Sequence, residues 1–348
     1  MTEMLSLSNN MPLFLGMMLL KIFVVFVVVI LIVAYATWCE RKIIGHMQTR
    51  LGPMNTGWHG LLQPIADGLK LFFKEDIIPA KASVIPFILA PMMILVPAFI
   101  TIAIVPFGPD IIIGGLAVPQ QITDLNVGIL YVLAFAGLGV YGIVLAGWSS
   151  NSKYSLIGGI RASAQMISYE LAAGLTIIAV FMLSESLSLR EIVAIQSGPL
   201  WGVIPFLPNW YVFTQPLAFF LFIITGLAEI NRTPFDMPEA ESELVSGFCT
   251  EYSSMKYALF FMAEYANMVV IAAIAATLFL GGWYGPLPSS LGFVNILMKV
   301  FAIMFFCIWL RATLPRVRYD QLMRMGWKVL IPLALINVAV TAIVVVLT

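Results

Sequence analysis

Six acids fall within one short stretch of this chain, AEINRTPFDMPEAESELVSGFCTE (Ala228–Glu251): Glu229, Asp236, Glu239, Glu241, Glu243 and Glu251, against a single base, Arg232. The whole chain holds 18 acids in 348 residues, so this stretch carries a third of them. Carboxylates so close raise one another's pKa and titrate as a coupled set, which suits a group that holds and passes protons near neutral pH. A solvated acidic loop is the plain alternative. Two further acids lie inside apolar runs. Glu170 follows Arg161 at a spacing of roughly 13 Å along an α-helix, close to the middle of a hydrocarbon core about 30 Å thick, and Glu264 repeats the pattern after Met255. A carboxylate at such depth costs at least about 2.5 kcal/mol on insertion scales, so it faces protein or water and is functional by default, with a hydrogen-bonded structural acid as the alternative. Ser163, Gln165, Ser168 and Tyr169 lie on the way in and form a polar half-span able to carry water to Glu170. Lys299 is open to either reading, an outward-snorkelling structural base or a proton relay.

These acids must be positioned by membrane helices. Hydrophobic residues make up 61% of the chain, and mean hydropathy is +0.99. Apolar runs near the ~20 residues of a bilayer-spanning helix recur along it, which predicts an all-α polytopic membrane protein with one membrane domain over 1–348 and no soluble unit. Eight spans are expected near Pro12–Trp38, Ser83–Phe107, Leu125–Trp148, Ile157–Leu183, Phe213–Ile230, Met255–Gly281, Leu291–Leu310 and Gly326–Val346. The first is read as a retained helix rather than a signal peptide. Of the 18 bases, all but Lys21, Arg190 and Lys299 follow or flank the odd-numbered spans. That bias puts the 40–82 and 231–254 loops on the cytoplasmic or matrix side.

Within the first loop, Trp58, Leu61, Leu62, Ile65, Leu69, Phe72 and Phe73 recur at helical spacing, with Gln63, Asp67, Lys70 and Lys74 opposite. The pattern predicts an amphipathic helix over Trp58–Lys74 lying along the interface, with Pro64 in its first turn. Gly158–Gly159 follows no strand and reads as a flexible point near a helix start. The formal net charge is zero, so nothing points to nucleic acid. Cys39, Cys249 and Cys307 form no CxxC pair, and His46 and His59 lack ligand spacing, so any redox centre is expected on another chain.

Six segments together carry a family resemblance: ERKIIGHMQTRLGP (Glu40–Pro53), LLQPIADGLKLFFKE (Leu61–Glu75), GWSSNSKYSLIGGIRASAQMISYE (Gly147–Glu170), AEINRTPFDMPEAESELVSGF (Ala228–Phe248), EYSSMKYALFFMAEY (Glu251–Tyr265) and LRATLPRVRYDQLMRMGWK (Leu310–Lys328). Over nearly its whole length the chain resembles the H-type, or mitochondrial subunit 1, membrane subunits of proton-pumping NADH:quinone oxidoreductase, respiratory complex I. Met54 departs from the family pattern, which has Asn directly after RxGP. The resemblance implies a subunit that binds no cofactor itself, takes quinone as the substrate of a shared chamber, and relies on FMN and iron–sulphur clusters in partner subunits. Implied partners are the terminal iron–sulphur subunit, the subunit of the quinone headgroup site, and small and antiporter-like membrane subunits. The implied location is a bacterial inner membrane, or the mitochondrial inner membrane in a eukaryotic host. The resemblance further implies Arg41, Arg50 and Asp67 near the quinone chamber, framed by the first span, the interfacial helix and the sixth span. Glu170, Glu229, Glu239, Glu241, Glu243, Glu251 and Glu264 would form the path from chamber to membrane.

Two other readings stand beside it. A membrane subunit of energy-converting hydrogenase or formate hydrogenlyase would reuse the same acids without a quinone. An autonomous proton-coupled transporter is permitted by the intramembrane carboxylates but shows no inverted repeat of interrupted helices. The charge asymmetry makes a direct prediction: a cysteine placed at Arg318 reacts with an impermeant thiol reagent from the cytoplasmic or matrix side only, and labelling from the opposite side alone would invert the topology.

Overall fold

In lipid every backbone N–H and C=O has to be satisfied within the protein, so apolar runs of this length fold as helices. The computed structural model describes residues 11–113, 116–200, 204–238, 244–288 and 291–347. Glu239, Glu241 and Glu243 lie outside the described residues. The helices are α1 (Met11–Met47), α2 (Gln63–Phe73), α3 (Val84–Ile102), α4 (Gly128–Ser149), α5 (Lys153–Ser184), α6 (Leu189–Ile195), α7 (Tyr211–Thr214), α8 (Pro216–Glu229), α9 (Ser254–Phe279), α10 (Gly292–Thr313), α11 (Tyr319–Met325) and α12 (Ile331–Leu347). A π turn at Gly326–Leu330 joins the last two into one rod. The fold is all-α, as expected, with two small additions that the apolar pattern concealed. Ile111–Ile113 pairs antiparallel with Leu116–Val118, and Pro199–Leu200 with Ile204–Pro208.

Among the described residues, seven helices are long and apolar enough to cross a bilayer, so the chain is a multi-pass membrane protein. The expected fifth span, Phe213–Ile230, is the exception. It breaks at Gln215, before Pro216, into a single turn (α7) and the 14-residue α8. Proline lacks the N–H that a helix interior uses and fits readily in a first turn, which is where Pro216 stands.

Burial ranks the spans. In α9 67% of the most apolar window is buried, against 11% in α1, so α9 is the central post and α1 the outlying one. At the far end of α9, Lys299 of α10 donates to the carbonyls of Leu280, Gly282 (2.8 Å) and Tyr284 and lies 4.4 Å from the Trp210 ring. Lys299 thereby ties α10 to the C-cap of α9 and to the turn that follows it.

The interfacial helix is shorter than its periodicity predicts. A 3₁₀ turn covers Trp58–Gly60, and α2 begins only at Gln63, with Pro64 in its first turn. Gly60, at φ +76°, would bring a Cβ within 2.5 Å of the Pro53 carbonyl oxygen, so the chain turns there before the helix starts. Ile65, Leu69, Phe72 and Phe73 of α2 are exposed, as suits a helix meeting lipid or another subunit.

The reading of Gly158–Gly159 as a flexible point is corrected. Both lie inside α5, where the absence of a side chain permits close backbone contact. A Cβ on Gly158 would stand 2.9 Å from the Gly247 Cα, and one on Gly159 would stand 3.2 Å from the Ile143 carbonyl oxygen of α4. Small residues at such crossings let membrane helices pack by van der Waals contact. Gly174, farther along α5, has open space where its Cβ would be. Gly158→Ala should therefore destabilise the assembled protein by about 1–3 kcal/mol, whereas Gly174→Ala should not. Thermal unfolding of the two variants checks this, and equal stability would remove the close-packing role.

Candidate functional site

At the inner end of α9 four charges meet. Arg232, just beyond α8, donates to Glu40 of α1 at 3.0 Å and to Glu264 of α9 at 3.2 Å. Arg311 of α10 pairs with the other oxygen of Glu40. The Arg232 guanidinium also lies 4.2 Å from the centre of the Tyr265 ring, with its hydroxyl 3.4 Å away, and 5.5 Å from the Phe261 ring. The Arg232, Glu40 and Glu264 side chains are 8%, 7% and 14% exposed. Two arginines against two glutamates leave the group electrically balanced, the condition on which charges survive burial.

The cluster abuts a cavity of about 370 Å³ between α1, α2 and α9. Its walls include Val33, Ala34, Thr37 and Arg41 of α1, Pro64, Asp67 and Lys70 of α2, and Tyr257, Phe261 and Tyr265 of α9. Arg41 and Asp67 join across it at 2.5 Å, and Asp67 also accepts from Gln63 at 2.9 Å. The pair is half exposed and contributes little stability by itself, so its interest lies in what it presents to the cavity. Tyr265 and Phe261 line the cavity on one side and touch Arg232 on the other.

Deeper in, a second cavity of about 40 Å³ lies among α3, α4, α5, α8 and α9, bordered by Thr101, Glu229 and Asn267. It is apolar over most of its wall and has room for a few waters at roughly 10–15 Å³ each. Glu170 is not among its lining residues and packs against Gly137 of α4, where its carboxylate oxygen is 2.9 Å from the position a Cβ would take. Both residues stand near the middle of their helices, in keeping with the mid-depth reading of Glu170. The charge on Glu170 is felt at Glu229, the last residue of α8.

The polar residues on the way to Glu170 also make bonds within the protein. Gln165 is fully buried and donates to the carbonyls of Ala228 and Phe235, each at 2.8 Å, stapling the 231–235 segment to α5. Tyr169 donates to the Leu322 carbonyl at 3.0 Å, Ser168 accepts from Trp327 at 3.1 Å, and Ser163 bonds back to Ile160. These bonds tie α5 to the loop and to the last rod.

Of the sequence-selected residues, the structure brings Arg41 and Asp67 together on the cavity of about 370 Å³, Glu264 into the charge cluster and Glu229 to the small cavity, while Glu170 packs against Gly137 of α4. Arg50 is not among the cavity residues. It lies in the 48–52 turn, exposed, with its Nε donating to Gln48 at 2.9 Å. Glu251 is half-buried after a 3₁₀ turn at Gly247–Cys249, next to Tyr252, whose ring stacks on Phe87 at 4.0 Å. Arg232 turns inward, to Glu40 and Glu264. Sequence reasoning passed over Glu40 and Arg311, reading the first as a loop start and the second as an inner-surface base. The available signal was Glu40's place at the end of a long apolar run, where a carboxylate needs a cationic partner.

Residues 20–342 match the family model described as NADH dehydrogenase. The chain is 66% identical over 341 residues to the second of the NADH-quinone oxidoreductase H subunits of Geobacter metallireducens, covering 94% of this chain and 95% of that protein. It is 65% identical over 341 residues to the first of the H subunits of Geobacter sulfurreducens, covering 94% of each. With the H-type protein of Thermomicrobium roseum it shares 50% identity over 327 residues, 92% of this chain and 94% of that one. A match of this extent, on a bundle whose loops tie the same motif-bearing segments together, means that the chain belongs to the family of NADH-quinone oxidoreductase H subunits, the complex I membrane subunits.

Proposed function

We propose that the cavity between α1, α2 and α9 forms part of the quinone chamber of the complex, and that the buried charges behind it begin a carboxylate path linking quinone reduction to proton translocation. One observation carries this reading: Tyr265 and Phe261 form a single wall with the cavity on one face and Arg232 on the other. At about 370 Å³ the cavity falls in the range of small-molecule sites, mostly apolar with a few convergent polar groups. The exposed apolar face of α2 beside it suits entry from the bilayer. A reduced, negatively charged quinone at this wall would act on the Arg232–Glu264 pair through a low-dielectric interior, where charges interact strongly. The effect would pass to Glu229 and Glu170, each of which takes or releases a proton at its carboxylate. Glu239, Glu241, Glu243 and Glu251 complete the proposed path.

This chain contributes binding walls and proton carriers. FMN and iron–sulphur clusters, assigned to partner subunits, would supply the electrons. The same reading assigns it the terminal iron–sulphur subunit, the headgroup-site subunit and small and antiporter-like membrane subunits as neighbours. It also places the chain in a bacterial inner membrane, in keeping with the bacterial origin of the relatives above.

Two measurements test it. In assembled complex, Arg41→Gln and Asp67→Asn should each lower NADH:quinone turnover about tenfold, while NADH oxidation by a soluble artificial acceptor is unchanged. Equal loss of both activities would remove the chamber assignment. Glu170→Gln keeps shape and hydrogen bonding but cannot titrate, and is expected to cut quinone-linked turnover and membrane-potential formation together, to about a tenth or less. Near-normal values of both would make Glu170 a structural acid.

A further inference from the structure

A third cavity, of about 310 Å³, lies on the opposite half of the molecule, between α1, α10 and the chain after the first hairpin. Most of its wall is aliphatic, including Val24, Val28, Val300 and Leu297. Three polar residues lie on its wall, Lys21, Gln120 and Gln121, of which Lys21 and Gln121 are joined by a hydrogen bond. Gln121 is 3% exposed, and among the described residues neither its Oε1 nor its Nε2 has a hydrogen-bond partner. A buried amide left unsatisfied on both atoms costs stability, so its presence on a cavity wall points to a ligand that satisfies it. Lys21 spends one donor on the Gln121 main-chain carbonyl at 2.8 Å and has two more to give. Asp110, the carboxylate whose charge reaches Lys21, is itself paired with Arg190 at 2.7 Å.

Depth identifies the ligand class. Lys21 precedes Glu40 of the inner charge cluster on the same helix by a rise of roughly 28 Å, nearly the thickness of a hydrocarbon core. Lys21 therefore stands at headgroup level in the leaflet opposite the charge cluster, with an aliphatic groove running inward from it. A cation and an amide at headgroup depth above an acyl-width groove match one kind of molecule. We propose that this cavity is a structural phospholipid site: the phosphate sits on the Lys21 ammonium, the ester region on the Gln121 amide, and one acyl chain in the groove between α1 and α10.

The experiment uses the whole complex in nanodiscs containing phosphatidylglycerol with a diazirine on one acyl chain. After irradiation, adducts are mapped by mass spectrometry. Adducts are expected on α1 near Val24 and Val28 and on α10 near Leu297. Lys21→Met should lower their yield about fivefold, and Lys21→Arg, which keeps the cation, should restore it. Competition with unlabelled lipid in wild-type complex gives a second reading that needs no variant: phosphatidylglycerol should suppress labelling, and phosphate-free diacylglycerol should not. Equal suppression by the two would make the groove ordinary lipid-facing surface. Preferential labelling of these residues by a diazirine isoprenoid quinone would make the occupant a quinone tail. Either result overturns the proposal.

Discussion

The charge on Arg232 is the constraint around which this molecule is arranged. A guanidinium buried among helices has to be compensated where it stands, because an unpaired charge in the interior costs several kcal/mol. Compensation comes from Glu40 on α1 and Glu264 on α9, while Arg311 on α10 balances the extra acid. Three helices distant in sequence are thereby held at one point by a residue of a loop. The first of them, α1, has little other purchase, since most of its surface is not buried in the chain. It is tied to the bundle by this cluster and the Arg41–Asp67 pair toward one end, by the Lys21–Gln121 bond at the other, and by Val29, Val33 and Ala36 in the core between them.

The loop that carries Arg232 is fastened as firmly on its far side. Gln165 takes the carbonyls of Ala228 and Phe235, and Arg316 donates to the carbonyl of Asp236. The Val317 N–H adds a bond to the Pro234 carbonyl at 3.1 Å. Segment 228–236 is therefore a wedge of defined shape with polar groups on each flank, one flank set by α5 and the other by the chain before α11. Any movement of Tyr265 or Phe261 is transmitted to it through the stacked guanidinium, since packed interiors shift between discrete arrangements rather than deforming smoothly.

The spans were legible because lipid imposes a simple rule on composition, and the mid-depth acids were legible because that rule makes them costly. Other features depended on partners that sequence spacing does not reveal. Gln165, Ser168 and Tyr169 look like a polar track on a helical wheel, yet each is taken up by a backbone or indole group that arrives from a remote segment. Gly158 looks permissive until Gly247 is seen packed against it. Glu40 carried no sign of its role beyond being an acid at the end of an apolar run, because Arg232 and Arg311 lie about two hundred residues away or more. The late start of α2 follows from Gly60, whose backbone conformation only the fold discloses.

The end of α8 has one more consequence. Arg232 meets α9 at Glu264, ten residues past the start of that helix and so about 15 Å along it. The cluster stands about 28 Å along α1 from Lys21, near the inner boundary of the hydrocarbon core, with α9 running on past it, and the 14-residue α8 supplies only about 21 Å of continuous apolar helix above it. Insulation across the protein is thinner here than the roughly 30 Å of the surrounding bilayer. A transmembrane voltage falls mainly across the least polarisable part of its path, so the electric field is steeper over these residues than in the lipid beside them. A charge crossing a full 100 mV changes energy by about 2.3 kcal/mol, and here that change is compressed into a shorter distance. Each ångström of charge movement along α8, between the ion cluster and the far side of the bundle, would do more electrical work than the same step through plain membrane.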